Sequence, residues 1–310
     1  MDYAECIKAL RERDDLLILT HKNPDGDTAG SAGALCSALR RMGKTAFLYN
    51  SPQFTKKLLP YVSKFTAPED FVPGCVVAVD IAEEKLFPEG FAGKADFCID
   101  HHPTNTRYAG DTLLHGEKAS CGEIILELLT AMGLELTYEE ATLLYIAVST
   151  DTGCFLYSNT NAETFAAAAK LLEQGADSAG VNLSFFRKVS PERIKLEGMI
   201  YSSMRFFREE TVAFAVVTKN MVKESGVCDD DLDDIASLAG RNEKAVISIT
   251  VREKDEGCRV SVRSGPQVSS SDICARFDGG GHRAAAGCTI KASPDEAVEK
   301  LMQVINEVWT

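Results

Sequence analysis

The sequence lacks three features that would each indicate a particular class of protein. It has no run of about 18 consecutive apolar residues, so it predicts no membrane-spanning helix. Its start, from Met1 to Glu5, carries acids where a secretory signal would carry basic residues, and no apolar run follows. Its ten cysteines form no Cys-x-x-Cys pair, which argues against a zinc ribbon or a disulfide framework. We therefore expect a cytoplasmic protein with reduced thiols and no membrane partner.

Basic residues are also in short supply. The chain has 33 lysines and arginines against 46 aspartates and glutamates, a formal net charge of −13, and it has no basic run. Proteins that hold long DNA or RNA neutralise many phosphates with a basic face, so we expect no long duplex as a partner. A short single-stranded oligonucleotide or a small nucleotide can still bind where metal ions or a local pocket supply positive charge. The composition leaves a monomer and a homodimer open.

Hydrophobic residues make up 45% of the 310-residue chain, enough for two packed domains. In the first half, short apolar runs alternate with helical patterns, starting with a run at Leu16–Thr20 and a helix from about Thr28 to Met42. Strands that are apolar along their whole length are typical of a parallel sheet covered on both faces. The further elements predicted there are strands at Thr45–Tyr49, Cys75–Val79 and Ala95–Ile99 and helices at Cys121–Met132, Glu139–Ser149 and Ala162–Gln174.

A second alternation of strands and helices begins after about Phe207. Before it, Ser190 and Pro191 open a helix, with Ser190 as its N-cap. We therefore predict an α/β protein with an N-terminal domain over residues 1–188, a helical linker over 189–205 and a smaller α/β domain over 206–310. The elements predicted in the smaller domain are strands at Val212–Val217, Ala245–Val251, Cys258–Arg263 and Ala285–Ile290, helices at Asp231–Ala239 and Pro294–Val308, and an acidic helix start at Asp229–Asp234.

The segment from His21 to Asp27, with the letters HKNPDGD, directly follows the first predicted strand. Ligands bind at the carboxyl ends of strands in open α/β sheets. One imidazole and two carboxylates in so short a segment suit Mn²⁺ or a similar divalent cation. Pro24 and Gly26 would shape a turn from which Asp25 and Asp27 face two different ions. The alternative is a plain turn in which Asp27 caps the following helix.

Further acids and imidazoles stand where other predicted elements end. Asp80 and then Asp100, His101 and His102 follow two of the predicted strands, and Asp151 follows an apolar helix. Each of these groups taken alone is more often a cap or a turn residue than a ligand. With the first segment, however, three of the chain's five histidines lie at such ends, which structural roles explain poorly. The pattern therefore predicts a metal site.

In order and setting, these residues resemble the four motifs of the DHH phosphoesterases, and Gly279-Gly280-Gly281-His282 resembles the signature of their DHH-associated C-terminal domain. The match covers nearly the whole chain. It implies a catalytic N-terminal domain, a substrate-binding C-terminal domain, an active-site cleft between them and two divalent ions, most simply Mn²⁺. By this resemblance His21 and Asp25 bind one ion, Asp27, His101 and Asp151 bind the other, Asp80 bridges them, His102 faces the substrate, and Asp100 orients a histidine.

The compact two-domain form is similar to the nanoRNase and pAp phosphatase group of that family. This implies hydrolysis of very short oligonucleotides to 5′-mononucleotides and, in some members, dephosphorylation of 3′-phosphoadenosine 5′-phosphate. Two metal ions activate a water molecule and clamp the attacking and leaving oxygens, so no side-chain nucleophile is needed. Related alternatives are phosphodiesterases of cyclic dinucleotides or of their linear products. A non-catalytic nucleotide sensor is the alternative from another class, and the intact ligand set argues against it.

The C-terminal domain offers candidate contacts to substrate. The glycines at 279–281, before His282 and Arg283, would let a ligand approach the backbone, whose amides suit phosphate or sugar oxygens. Arg263 and Ser264, at a strand end, are a second candidate because arginine binds phosphate in a bidentate manner. The alternatives are a flexible glycine turn and a surface strand end. Ser120 begins a Ser-x-x-Glu capping box, which we prefer to a nucleophile.

Overall fold

The computed structural model describes residues 1–228, 232 and 235–309. The chain forms two compact units, Met1–Lys188 and Val189–Thr310. The predicted acidic helix start lies outside the described residues except for Leu232. Of the helix predicted at Asp231–Ala239, the described part is a 3₁₀ helix at Ile235–Arg241. All ten cysteines are free thiols, as expected from their spacing.

The first unit contains the predicted parallel sheet, with five strands in the order β2-β1-β3-β4-β5. Every neighbouring pair in this sheet is parallel. The strands are β1 (Leu16–Leu19), β2 (Ala46–Leu48), β3 (Cys75–Val79), β4 (Phe97–Asp100) and β5 (Asp111–Leu114), and the helices are α1 (Tyr3–Glu12), α2 (Gly26–Arg41), α3 (Leu59–Val62), α4 (Cys121–Ala131), α5 (Tyr138–Asp151), α6 (Ala162–Glu173) and α7 (Ser178–Asn182).

Alternate residues of the strands enter two different cores. Leu16 and Ile18 of β1 join a large cluster with apolar residues of α2, α4 and α5, whereas Leu17 and Leu19 join a smaller cluster on the opposite face. That second face is covered mainly by aromatic residues from irregular segments between residues 49 and 108 rather than by helices. The prediction of a sheet covered on both faces is thus confirmed. Neither α1 nor β5 was predicted, and β5 is a short edge strand that begins with an exposed aspartate.

Helix α2 starts at Gly26, two residues earlier than predicted. Its N-cap is Asp25, whose side chain accepts the backbone N–H groups of Asp27 (3.0 Å) and Thr28 (3.1 Å). The alternative in which Asp27 caps this helix is therefore wrong. Helix α2 packs closely on α5 at Gly30. A Cβ added at this residue would lie only 2.3 Å from the carbonyl oxygen of Leu143. This close approach brings the start of α2 near the end of α5.

Replacing Gly30 with alanine is expected to destabilise the first unit, although alanine favours helices. The added methyl would meet backbone of α5, which cannot rotate away, so the helices must separate at a cost of about 1–3 kcal/mol. Gly33→Ala is the matched control on the same helix, since its Cβ would contact only the flexible end of Leu143, at 3.3 Å. Urea unfolding of both variants measures the difference. Equal stability of Gly30→Ala and the wild type would contradict the prediction.

The second unit contains a mixed six-stranded sheet in the order β10-β11-β9-β8-β7-β6, in which only β7 and β8 run parallel. All four strands predicted in this unit are present. The strands are β6 (Arg205–Phe207), β7 (Val212–Val217), β8 (Ile247–Lys254), β9 (Gly257–Ser264), β10 (Gly280–His282) and β11 (Ala285–Ile290), and the helices are α8 (Pro191–Ser202), α9 (Lys219–Ser225), α10 (Ser270–Ala275) and α11 (Pro294–Val308).

Helix α8 occupies the segment that we predicted as a linker. Ser190 is its N-cap, accepting the N–H of Arg193 at 3.0 Å, as the sequence indicates. Leu196 and Ile200 are fully buried in a cluster with apolar residues of β7, including Ala213. Residues 191–202 therefore pack as part of the second unit. Among the helices of the described ranges, none is both long and apolar enough to cross a bilayer.

Candidate metal centre

The structure brings together the six side chains that the resemblance assigns to metal binding. His21 lies just beyond β1, and Asp25 and Asp27 lie at the start of α2. The other three follow or end neighbouring elements of the same unit, at the carboxyl side of the parallel sheet. They are Asp80 after β3, His101 after β4 and Asp151 as the last residue of α5.

Three groups of three possible donors lie close together, namely His21 with Asp25 and Asp80, Asp27 with His101 and Asp151, and Asp80 with His101 and His102, and the first two consist of predicted ligands alone. In the first, Nε2 of His21 lies 3.5 Å from Oδ1 of Asp25 and 3.8 Å from Oδ2 of Asp80. In the second, Nε2 of His101 lies 3.7 Å from Oδ2 of Asp27 and 3.6 Å from Oδ2 of Asp151. These are distances at which one cation could be shared by all three members of a group.

Asp80 connects the first two groups. Its Oδ2 faces His21, and its Oδ1 lies 3.4 Å from Nε2 of His101. It stands directly after β3 with φ of 60°, a left-handed conformation that residues other than glycine adopt rarely. Within the described part of the chain, its buried Oδ1 has no hydrogen-bond partner. A buried carboxylate oxygen without a donor is costly in a neutral environment and is well suited to a cation.

The electrostatics of the cluster also favour bound cations. Burial, together with the neighbouring carboxylates Asp27 and Asp25, raises the pKa of Asp80 well above its usual value. Burial and the charge of Asp151 raise the pKa of Asp27 to about 7. Burial is also the main cause that raises the pKa of Asp151 to about 6. Carboxylates and imidazoles of this kind suit divalent cations such as Mn²⁺, and such ions would neutralise this repulsion, so the residues present fit two of them.

Asp27 has anchors that the sequence analysis did not find. Its Oδ2 accepts the N–H of Cys121 (2.7 Å), and its Oδ1 accepts the N–H of Gly122 (2.9 Å) and the hydroxyl of Ser31 (3.0 Å). The two amides belong to the first turn of α4, where backbone N–H groups lack partners within the helix. Ser120 caps this helix by accepting the N–H of Glu123 (3.3 Å), while Glu123 itself accepts the N–H of Ala119 rather than completing the capping box.

The ring of His101 is oriented by a backbone carbonyl. Its Nδ1 lies 3.2 Å from the carbonyl oxygen of Lys118, an acceptor, so Nδ1 carries a proton, and in the neutral ring Nε2 has the free lone pair that a metal ligand needs. That Nε2 is the atom that faces Asp27, Asp80 and Asp151. The sequence carried no sign of this contact, because a backbone carbonyl leaves no residue preference.

His102 is oriented differently. Its Nδ1 lies 2.8 Å from Oδ1 of the fully buried Asp100, and 43% of its side chain is exposed. The histidine whose ring Asp100 contacts is therefore His102, while His101 only donates its backbone N–H to Oδ1 of Asp100, at 2.9 Å. Asn105, which we did not single out, donates to the other oxygen of Asp100 at 2.6 Å.

The glycines at 279–281, predicted to contact substrate, pack against a neighbouring strand of the second unit. Gly280 and Gly281 lie in strand β10 rather than in the expected loop, and a Cβ at Gly279 or Gly281 would collide with the backbone of β11. Space is open only at Gly280 among these three. Glycine is thus required at 279 and 281 by the packing of β10 on β11, a role that the sequence analysis did not foresee.

Two of the predicted polar contacts remain exposed in this sheet. His282 pairs with Ala285, and Ala285 pairs with Arg263, so the imidazole and the guanidinium project from the same face of neighbouring strands. Ser264 is engaged within the unit, since its hydroxyl donates to the carbonyl oxygen of Val268 at 2.9 Å. Arg283 also has an internal partner, the carbonyl oxygen of Pro266 at 3.0 Å.

A parallel α/β unit that gathers five acids and imidazoles around a buried carboxylate is an arrangement typical of metal-dependent hydrolases. The chain matches the model of the DHH family, N-terminal domain, over residues 15–148 and that of the DHHA1 domain over residues 209–310. It is 33% identical to the bifunctional oligoribonuclease and PAP phosphatase NrnA of Thermus thermophilus, over 99% of this chain and 93% of that protein. The chain therefore belongs to the DHH family and is a hydrolase of phosphoester bonds.

Solved structures agree with this fold. An exopolyphosphatase-related protein from Bacteroides fragilis superposes with a TM-score of 0.88 at 24% identity, covering 98% of this chain and 96% of that one. The exonuclease RecJ bound to manganese superposes with a TM-score of 0.52 at 13% identity, covering 99% and 93%. At these identities the likeness concerns the fold.

Proposed function

We propose that the protein is a Mn²⁺-dependent phosphoesterase that hydrolyses very short oligonucleotides to 5′-mononucleotides and also acts on 3′-phosphoadenosine 5′-phosphate. The observation that carries this proposal is the pair of three-residue donor groups joined by Asp80, whose Oδ1 has no hydrogen-bond partner among the described residues. The full-length similarity to an oligoribonuclease and PAP phosphatase supports the substrate class. The net charge of −13 disfavours long polyanions.

In this proposal His21 and Asp25 hold one ion, Asp27, His101 and Asp151 hold the other, and Asp80 is shared. Two ions held by these residues would supply an activated water and would neutralise charge on the attacking and leaving oxygens. The amides of α4 keep Asp27 in place, and the Lys118 carbonyl keeps Nε2 of His101 directed at the carboxylates. These contacts fix the ligand geometry before any ion arrives.

His102 is the proposed general acid. With Nδ1 engaged by Asp100, its Nε2 is the atom left to face the substrate, where it can donate a proton to the leaving oxygen. The buried carboxylate of Asp100 orients the ring through Nδ1, at 2.8 Å. Asp100 thus acts through His102 rather than on the substrate.

The second unit is the proposed source of contacts to the substrate. His282 and Arg263 on one sheet face, with the open backbone at Gly280, suit a phosphate or ribose, and Ser264 and Arg283 would support them. Because Ser264 and Arg283 already have internal hydrogen bonds, we assign them the weaker contribution.

A substrate panel tests the proposal. The purified protein with Mn²⁺ is given a dinucleotide, a pentanucleotide, a 20-nucleotide RNA, 3′-phosphoadenosine 5′-phosphate and a cyclic dinucleotide with its linear product, and products are separated by chromatography. We expect mononucleotides from the two short oligonucleotides at rates at least about tenfold above that of the long RNA, because few phosphates can be neutralised here. Absence of hydrolysis of every short substrate would refute the proposed function. A clear preference for the cyclic dinucleotide would assign a different substrate.

A further inference from the structure

We propose that Asn105 is a positioning residue for the reaction, holding the Asp100–His102 pair in the geometry that the general acid needs. This inference rests on the proposed function and adds a residue to it. It starts from the side-chain amide of Asn105, which uses its donors and its acceptor on four neighbours. Nδ2 donates to Oδ2 of Asp100 (2.6 Å), to the carbonyl oxygen of Ile81 (3.2 Å) and to Sγ of Cys98 (3.7 Å), and Oδ1 accepts the N–H of Arg107 (2.7 Å).

The oxygen and N–H partners determine which way the amide points. The two oxygens beside Nδ2 are acceptors, and the neighbour of Oδ1 is a donor, so the flipped amide would lose these three hydrogen bonds. The short bond to Asp100 is charge-assisted, the stronger type of hydrogen bond. Asn105 is therefore held in one orientation by its surroundings.

The two carboxylate oxygens of Asp100 accept hydrogen bonds from different donors. Oδ1 accepts three hydrogens, from the backbone N–H groups of His101 (2.9 Å) and His102 (3.3 Å) and from Nδ1 of His102 (2.8 Å). In the part of the chain that the structure describes, Asn105 is the one donor to Oδ2 at hydrogen-bond distance. Since Asp100 is fully buried, water cannot replace that donor freely. Losing Asn105 leaves half of the carboxylate unsatisfied and free to rotate away from His102.

The same amide joins two segments of the active site. Ile81 follows Asp80 after β3. Asp100 is the last residue of β4, and His102 lies two residues after it. Other contacts hold these segments together without Asn105, since the hydroxyl of Tyr108 donates to the Ile81 carbonyl (3.0 Å) and the N–H of Thr106 to that of Ala82 (2.9 Å). Removing the Asn105 amide should therefore disturb Asp100 and His102 while leaving the metal ligands close to their places.

The expected effect is a loss of turnover rather than of binding. Residues that orient a catalytic group from behind typically change activity by about 10–100-fold when they are removed. For Asn105→Ala we expect kcat to fall within that range, with KM and the affinity for Mn²⁺ changing less than about threefold. Asn105→Asp should lose at least as much, because a carboxylate cannot donate and would repel Asp100.

A double-mutant cycle separates positioning from general damage. Four proteins are assayed with a dinucleotide and Mn²⁺: wild type, Asn105→Ala, His102→Ala and the double variant. If Asn105 acts through His102, its removal costs less than about threefold in the His102→Ala background. Asn220→Ala is the matched control, an exposed asparagine of α9 that donates to Glu224 at 2.8 Å. Thermal melting of each variant shows whether it is folded.

NMR can measure the contact between His102 and Asp100 in the absence of substrate. The Nδ1 proton of His102, identified by its absence in His102→Ala, should be protected from exchange in the wild type and lost in Asn105→Ala. The inference would be overturned if the loss of activity in the double variant equalled the product of the losses in the two single variants. It would also be overturned if the Nδ1 proton of His102 stayed protected in Asn105→Ala. An inactive wild type with the expected proton behaviour would instead refute the proposed function and leave the positioning contact confirmed.

Discussion

Asp80→Asn is expected to abolish hydrolysis while making the metal-free protein more stable. An amide has the shape of the carboxylate but cannot supply the charge that both proposed ions share. We expect the rate to fall by about 10³-fold or more, which corresponds to about 4 kcal/mol of transition-state stabilisation. No other single side chain of the described cluster lies close to both His21 and His101 in this way.

The gain in stability has the same origin as the loss of activity. At neutral pH the metal-free protein must bury Asp80 beside Asp27 and Asp25, and this raises the pKa of Asp80. A group whose pKa is raised on folding opposes folding at any pH above its unfolded value. Removing the charge should therefore raise the melting temperature of the metal-free protein by at least about 3 °C, close to 1 kcal/mol for a domain of this size.

Asp70→Asn serves as the control for both effects, since Asp70 is an exposed aspartate of the same unit. It should leave the rate and the melting temperature unchanged. Activity assays and thermal scans after chelation measure the two quantities. If Asp80→Asn kept more than a tenth of the wild-type rate, Asp80 could not be the shared ligand.

Metal removal is expected to have an equally large effect on activity. Thorough chelation should reduce hydrolysis of a dinucleotide to below about 1% of the initial rate, and added Mn²⁺ should restore it, because the proposed nucleophile is a water that the ions activate. Full activity after chelation would refute the two-metal mechanism. Asp80→Asn, treated in the same way, should show no recovery.

The stabilisation by Mn²⁺ should depend on pH with a definite sign. Burial and the charge of Asp151 raise the pKa of Asp27 to about 7, and burial raises that of Asp151 to about 6. The unfolded chain releases these protons near pH 4, so the metal-free protein loses stability as the pH rises from about 4 to 7. Metal ions bind the deprotonated carboxylates and compete with protons for them.

We therefore fix one Mn²⁺ concentration, about 100-fold above the Kd measured at pH 7.5, and expect it to raise the melting temperature at that pH by about 5 °C or more. The rise should be much smaller at pH 5.5, where Asp27 and Asp151 are largely protonated. Thermal scans at both pH values, with and without Mn²⁺, measure the difference. A rise that is equal at both values, or larger at pH 5.5, would show that these carboxylates do not bind the ion.

Much of the site could be predicted from the sequence because its residues stand at the ends of apolar segments. A buried strand identifies itself by its composition, and the residue that follows it is placed by the geometry of a parallel sheet. Asp80 and His101 are of this kind. The prediction was less successful for short or polar elements, such as β5 and β10, which carry too few apolar residues to be recognised as strands.

Other features could not be predicted because the partners are far apart in the chain or leave no trace in it. Asp27 is held by the amides of Cys121 and Gly122, more than 90 residues away, and any residue could provide those N–H groups. The requirement for glycine at 279 and 281 comes from the backbone of β11, although in the sequence these glycines resemble a ligand-binding loop.

By itself the sequence determined that this protein has a parallel α/β domain with imidazoles and carboxylates at its strand ends, since burial of apolar strands and the chemistry of side chains are local properties. Only the tertiary structure decided how far apart those groups lie, which nitrogen of each of His101 and His102 faces the site, and that Asn105 supports Asp100. These depend on distances and hydrogen bonds between segments that meet only when the chain has folded.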